Sequence, residues 1–317
     1  MQTRFWFLVL VPIVAMAAVL FLAMDSDQSP NTIKVSLYEK TEVSPVQQIR
    51  GCSFGHHSSS PLRVAIAGIT SPSKTLEDYR KLLTYMGQKL DRQVTLILKP
   101  TYAEINDLIR DRRVDLGFVC TLAYVKGNQD FGMELLVAPQ MYGKTVYYSY
   151  LIVPQESSAG ELRDLRNASF AFADPMSNSG HLAPTYQLYL LNETPVSFFS
   201  RYIFTYSHDN SILAVADKLV DGAAVDSLVY DQLIINHPEI AAKTKIIARW
   251  GPYGIPPVVN HPALDPQLKQ QLRDFFLNLH NSDEGRRILS NLGIDKFMVV
   301  SDDIYDSVRE MKKKLGW

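Results

Sequence analysis

Apolar positions along the chain fall into short solid runs, separated by stretches where they recur every three or four residues. Leu62-Arg63-Val64-Ala65-Ile66-Ala67 reads as a buried strand. Leu76, Tyr79, Leu82, Leu83, Met86 and Leu90 then share one face of a helix. Val94–Leu98 is a second strand, Tyr102–Arg110 a second helix and Val114–Val119 a third strand. Alternation of this kind predicts βαβ units on a parallel sheet. Tyr147–Val153 reads as a long strand, and a second set follows it. Ser169–Ala173, Tyr202–Thr205, Ala223–Asp226 and Ile246–Trp250 read as strands; His181–Leu191 and Ser211–Val220 read as helices. Asp265–His280, Glu284–Leu292 and Asp303–Leu315 are helical in spacing. Two such sets in one chain predict two α/β lobes with a cleft between them, where ligands commonly bind.

The N-terminal pattern differs. Phe5–Met24 is an uninterrupted apolar run of 20 residues, with Arg4 before it and Asp25 and Asp27 after it. That length is at the threshold for spanning a bilayer, and the flanking charges favour an N-in, C-out orientation. Ala15-Met16-Ala17 resembles a signal-peptide cleavage site, but the apolar residues continue to Met24, which argues for a retained anchor. No cysteine directly follows the run, which argues against a lipid anchor. Residues 1–24 are therefore expected to be a signal peptide or anchor. The soluble part is expected to be periplasmic or extracytoplasmic, tethered to the inner membrane by residues 5–24. Residues 25–61, rich in Ser, Gln, Pro and Gly, read as a polar tether. His56-His57 within it lacks further ligands at metal-binding spacing.

Composition narrows the function. The 317 residues are 46% hydrophobic with a net charge of −1, so no global field draws in nucleic acid or acidic lipid. An anion would have to be held by local dipoles and a few placed side chains. Cys52 and Cys120 are too few for a disulfide framework, and a pairing between them stays open. The chain has no P-loop, nucleophile elbow or metal-ligand cluster, so no enzyme, metal or cofactor is expected.

The sharpest local signal is Phe170–Gly180, FAFADPMSNSG. An apolar strand ends in Asp174-Pro175, and Ser177, Asn178, Ser179 and Gly180 open a segment of helical spacing. The first amides of a helix lack internal partners and carry the positive end of its dipole, so this is a recipe for an anion site. The plain alternative is that these residues only cap a helix.

Four segments in order resemble the periplasmic phosphate/phosphite/phosphonate-binding proteins of ABC transporters, the PhnD-like family. They are Arg112–Val125 (RRVDLGFVCTLAYV), Tyr147–Val153 (YYSYLIV), Asp174–Gly180 (DPMSNSG), and His208 with Asp221–Ser227 (DGAAVDS). Gly285, Leu289, Leu292-Gly293-Ile294 and Asp302–Tyr305 extend the likeness, which covers about 62–314. The resemblance implies an α/β, bilobal type II periplasmic-binding-protein fold. Lobe one would be 62–150 and 246–317, lobe two 151–245, with crossings near Tyr150 and Ile246 and a small oxyanion between the lobes. It implies a carrier that performs no chemistry and presents phosphate, phosphite or a phosphonate to an ABC permease. The alternative is a tethered sensor subunit, arsenite-type, coupled to a histidine kinase.

The family likeness marks Ser177, Asn178, Ser179 and Gly180 as the ligand turn, with Asn178 where the family pattern has Thr. Thr121 and Tyr124 would line the same cleft. Tyr147 and Tyr148 face opposite sides of a strand, so one of them would reach it, and Tyr148 is carried as the candidate. His208 would be cationic beside a bound anion. Asp226 would accept a hydrogen bond from a protonated oxyanion or ligand amine, or else orient His208 or cap a helix. Cys120 would be a small buried residue, or would turn its sulfur to the cleft, where a thiolate suits As(III).

Overall fold

The structure is a computed structural model and describes residues 46–49 and 60–317. The apolar run 5–24, Cys52 and the histidine pair lie outside the described residues.

The strands are β1 (Val46–Ile49), β2 (Leu62–Ala67), β3 (Val94–Lys99), β4 (Leu116–Phe118), β5 (Glu134–Gln140), β6 (Val146–Pro154), β7 (Ser169–Phe172), β8 (Arg201–Phe204), β9 (Gly222–Asp226), β10 (Thr244–Gly254), β11 (Val258–Asn260) and β12 (Lys296–Met298). The helices are α1 (Pro72–Leu90), α2 (Tyr102–Arg110), α3 (Thr121–Phe131), α4 (Ala183–Leu190), α5 (Pro195–Phe198), α6 (His208–Ala216), α7 (Ser227–Asn236), α8 (Pro238–Lys243), α9 (Pro266–Asn278), α10 (Asp283–Asn291) and α11 (Asp306–Lys314).

Two sheets result: a seven-stranded one ordered β1-β3-β2-β4-β11-β5-β12, and a five-stranded one ordered β10-β6-β9-β7-β8. Helices cover both faces of each. Along β2, Leu62, Val64 and Ile66 pack into one core and Ala65 and Ala67 into the other. Tyr150 and Ile152 of β6 face one core of the second lobe, and Leu151 and Val153 the opposite one. This alternation is the period-2 signature of strands buried on both faces.

The sheets are mixed rather than parallel as expected. β2 runs parallel to β3 and β4, and β7 parallel to β8 and β9. β11 is antiparallel to β4 and β5, and β6 is antiparallel to β9 and β10. β5, β6, β10 and β11 flank the two passages of the chain between the sheets, while β1 and β12 add further antiparallel pairs on β3 and β5. β6 and β10 pair from Val146 to Gly254, so the whole of both strands belongs to the second sheet. Tyr150 and Ile246, the expected crossing points, lie within these two strands. Part of the tether is also structured: β1 pairs with the edge of β3, Val46 opposite Ile97.

Each parallel strand hands its C-terminal end to a helix start, and these ends meet at the cleft. Thr101 and Glu104 close a capping box at the start of α2, and Ser207 caps α6. Such turns fix which backbone and side-chain groups face the opposite lobe.

Candidate functional site

The predicted turn is built as expected, with one difference. Ser177 is the N-cap, but the chain first makes a wide π-type turn, Asn178–Leu182, before α4 begins. Ser177 Oγ accepts the Gly180 amide at 3.0 Å. Gly180 is required by crowding: a Cβ there would lie 2.5 Å from Ala173 Cβ and 2.9 Å from His208 Cε1. Ser177, Asn178 and Ser179 are fully buried.

The lobes meet over this turn through helix starts. The Tyr102 amide, first in α2, donates to Asp174 Oδ2 at 3.2 Å, and Met176 N donates to Asp174 Oδ1 at 2.7 Å. The Ser71 amide, at the N-cap of α1, donates to both oxygens of Asp209, each at 3.0 Å. The His208 amide donates to the Ile69 carbonyl at 3.0 Å. The Asn178 amide points at Cys120 Sγ, 3.5 Å away.

His208 is fully buried, and its Nδ1 accepts the Asp226 amide at 3.1 Å. The ring proton therefore sits on Nε2, 3.5 Å from Ser177 Oγ. Burial pushes the imidazole down to about 3, which favours the neutral ring; the cation expected from the sequence was for His208 with an anion bound beside it. Ser177 Oγ thus accepts from Gly180 and lies between the His208 ring and the Cys120 thiol.

Asp226 caps α7: Oδ1 accepts the amides of Leu228 at 2.8 Å and Val229 at 3.4 Å. Burial pushes its carboxyl up to about 7. Its backbone, rather than its carboxylate, orients His208. Burial likewise raises Asp174 to about 6 and Cys120 to about 11. Cys120 is a free, buried thiol, the first of the two alternatives the sequence left for it.

Tyr147, not Tyr148, reaches the turn, where its hydroxyl accepts Asn178 Nδ2 at 3.0 Å. Tyr148 packs against the second-lobe core. Tyr124 is turned elsewhere: its hydroxyl donates to Asp302 at 2.5 Å and its ring packs edge-on against Tyr305. Thr121 Oγ1 donates to the Gly254 carbonyl at 2.8 Å, tying α3 to the end of β10. Two participants went unread in the sequence. Ser149 on β6 donates to the Ser179 carbonyl at 2.6 Å. Tyr102 is fully buried, and its hydroxyl has no protein partner. Its signal was available, since it follows a strand and opens a capped helix, as the anion turn does.

Ser179 Oγ and Asn178 Oδ1 are also buried without a protein partner. Unpaired buried polar atoms are costly; two of them sit on this turn, and the Tyr102 hydroxyl is near Cys120 and Tyr147, which also contact the turn. Among the described residues no lysine or arginine bonds to any of these side chains. An open groove of about 870 Å³ runs between the lobes past Ala67, Val119 and Asp226. Ser177, Asn178, Ser179 and Gly180 are not among the residues that line it.

Two mixed α/β sheets joined by paired crossing strands, with helix starts facing across a cleft onto unpaired hydroxyls, define a bilobal type II periplasmic binding protein. Residues 64–305 match the family of periplasmic phosphonate substrate-binding proteins of ABC transporters, and the chain belongs to it. It is 29% identical over 248 residues to the phosphonates-binding periplasmic protein of Escherichia coli K12, covering 76% of this chain and 72% of that one. It is 27% identical over 232 residues to the phosphate-import protein PhnD of Mycolicibacterium smegmatis, covering 68% of this chain and 71% of the relative. The crystal structure of a binding component of a Pseudomonas aeruginosa ABC phosphonate transporter superposes with a TM-score of 0.77 at 28% identity, covering 81% of this chain and 87% of that chain. The protein is thus a periplasmic substrate-binding protein of a phosphonate ABC transporter, from a family whose members bind rather than transform their cargo.

Proposed function

We propose that the chain binds a small phosphorus oxyanion (phosphate, phosphite or a short phosphonate) at Ser177-Asn178-Ser179-Gly180. The hydroxyls of Ser177, Ser179 and Tyr102 donate to its oxygens. His208 positions Ser177, and Tyr147 holds the Asn178 amide. Cys120 and Thr121 form the wall from the first lobe, and Tyr124 stiffens that wall through Asp302. The observation that carries this reading is that Ser179 Oγ, Asn178 Oδ1 and Tyr102 Oη are buried without protein partners. The named cargoes of the two curated relatives, phosphonates and phosphate, fall in the same chemical class.

The partner in this reading is the permease of the transporter, to which the closed, loaded form docks. Residues 5–24 hold the protein at the membrane beside it, a reading supported by the apolar run and its flanking charges. Calorimetric titration of the full chain, unfolded and refolded to strip carried ligand, tests the cargo. The panel is phosphate, phosphite, methylphosphonate, 2-aminoethylphosphonate and arsenite. Binding of at least one phosphorus oxyanion, weakened by Ser179→Ala, is expected. Binding of arsenite alone would overturn the reading and move the function to Cys120.

A further inference from the structure

A bare oxyanion needs room for a few atoms, yet the space kept between the lobes is far larger. The groove of about 870 Å³ falls in the size range of sites that enclose whole organic ligands. It stops short of the anion turn by little. Asp226, which lines it, is joined to Ser177 through a single imidazole: the Asp226 amide donates to His208 Nδ1 at 3.1 Å, and Nε2 lies 3.5 Å from Ser177 Oγ. Val119 also lines the groove, and the next residue, Cys120, turns its sulfur to the Asn178 amide at 3.5 Å.

The walls are apolar on both sides. Phe118, Ile255 and Pro256 come from the first lobe, and Leu228, Val229 and Leu233 of α7 from the second. Phe118 is braced edge-on by Tyr79, with ring centroids 5.1 Å apart, and Leu228 packs against both cores of the first lobe. Contacts between lobes flank the groove. Asp209 takes the Ser71 amide, and at the end of α10 a Cβ on Gly293 would lie 3.8 Å from Gln232 Oε1 of α7. A guest between these contacts is gripped when the lobes close.

The polar groups along the groove are already committed to one another. Lys74 pairs with Asp78 at 2.6 Å, the hydroxyls of Thr70 and Thr75 lie 3.0 Å apart, and Asp226 Oδ1 caps α7. The acids Glu77, Asp78, Asp209, Asp226 and Glu239 outnumber the lysines, Lys74 and Lys81. A ligand with a second anionic group would meet net repulsion there. What the groove has left to offer is apolar surface.

We propose that the oxyanion is the head of a larger ligand, a phosphonate whose carbon substituent is an apolar chain or ring of several carbons, laid in this groove between α7 and the Phe118–Ile255 wall. The proposal rests on the oxyanion reading above for the head and adds the class of substituent. Each buried methylene then contributes through its removal from water, with the charged head fixing the register.

The test is calorimetry of the full chain, refolded free of carried ligand, with methyl-, propyl-, hexyl- and 2-aminoethylphosphonate at one pH. Affinity is expected to rise about twofold to fourfold per methylene from methyl to propyl to hexyl. Propyl- and 2-aminoethylphosphonate have the same number of heavy atoms, and the propyl form should bind at least about tenfold more tightly, since an ammonium loses its water among apolar walls. Val229→Asp and Leu213→Asp each set a charge on the groove, and Leu213 is already 40% exposed, so that variant should fold. The ratio of hexyl to methyl affinity, taken within each variant, should fall towards one. Methylphosphonate binding with no gain on lengthening the chain overturns the proposal and leaves the oxyanion site standing. Tighter binding of the ammonium form, or a hexyl-to-methyl ratio unchanged in both variants, overturns it too. If no phosphonate of any length binds, the oxyanion reading itself falls, and this proposal with it.

Discussion

Two serines two positions apart carry different loads, and substitution should separate them. Ser177 is the N-cap whose oxygen accepts Gly180 N, so Ser177→Ala should cost about 1 kcal/mol of stability as well as anion affinity. Ser179 Oγ has no protein partner, so Ser179→Ala should weaken anion binding about tenfold with an unchanged or slightly raised Tm. Calorimetry and thermal unfolding on the same samples would check both; a large Tm drop in Ser179→Ala would show that its hydroxyl holds the fold. Gly180→Ala must push its new Cβ into Ala173 and His208 and should lose about 1–3 kcal/mol in urea unfolding.

Among elements, the decisive contacts are carboxylates of one lobe on helix starts of the other. Asp174 holds the first amide of α2, and Asp209 holds the N-cap amide of α1. Both are caps supplied in trans, made only when the lobes touch. Asp209→Ala should weaken ligand binding about 5–30-fold, the equivalent of roughly 1–2 kcal/mol, because the closed form alone loses the contact. Small-angle scattering of the loaded variant should show a larger open fraction; an unchanged profile would mean that Asp209 does not govern closure.

The same scale shows what a sequence can disclose. The Ser177-capped turn and the strands Leu62–Ala67 and Ser169–Phe172 were legible because each is a local pattern of runs, caps and small residues. β11 and β12, of three residues each, were not, since a strand that short carries no periodicity and exists through its pairing with β5. Likewise the choice of Tyr147 over Tyr148 depends on register, and the turning of Tyr124 to Asp302 on a residue 178 positions away. The downward push on His208 follows from its burial among elements distant in sequence, which no local reading reaches.

Over the whole molecule, the buried site leaves a mark on stability. Asp226 has an ordinary value of 3.8 and is pushed up to about 7, so the folded state keeps a proton that the unfolded chain releases across that interval. Its contribution is full below about pH 4 and is lost as pH rises through about 7. His208 acts in the opposite sense: pushed down to about 3 from 6.5, it withdraws stability as pH falls through that window. The two slopes oppose each other between about pH 4 and 6.5. In Asp226→Asn only the histidine slope remains, so acidification should destabilise the unliganded variant relative to wild type by up to about 1.4 kcal/mol per pH unit. Urea unfolding at pH 5 and pH 7 decides it; parallel behaviour of the two proteins would mean that Asp226 titrates normally.

The proposed cradle is built on hydroxyls and helix starts, and among the described residues no lysine or arginine bonds to its side chains. Sealed dipoles are poorly screened, and no basic funnel draws the anion in from afar. Capture should therefore proceed at nearly the same rate and strength in dilute and in briny surroundings, an advantage in a compartment whose salt follows the outside world. Unloading is eased by the same economy: no ion pair has to be torn apart, and water entering as the lobes part can replace every bond the guest gives up.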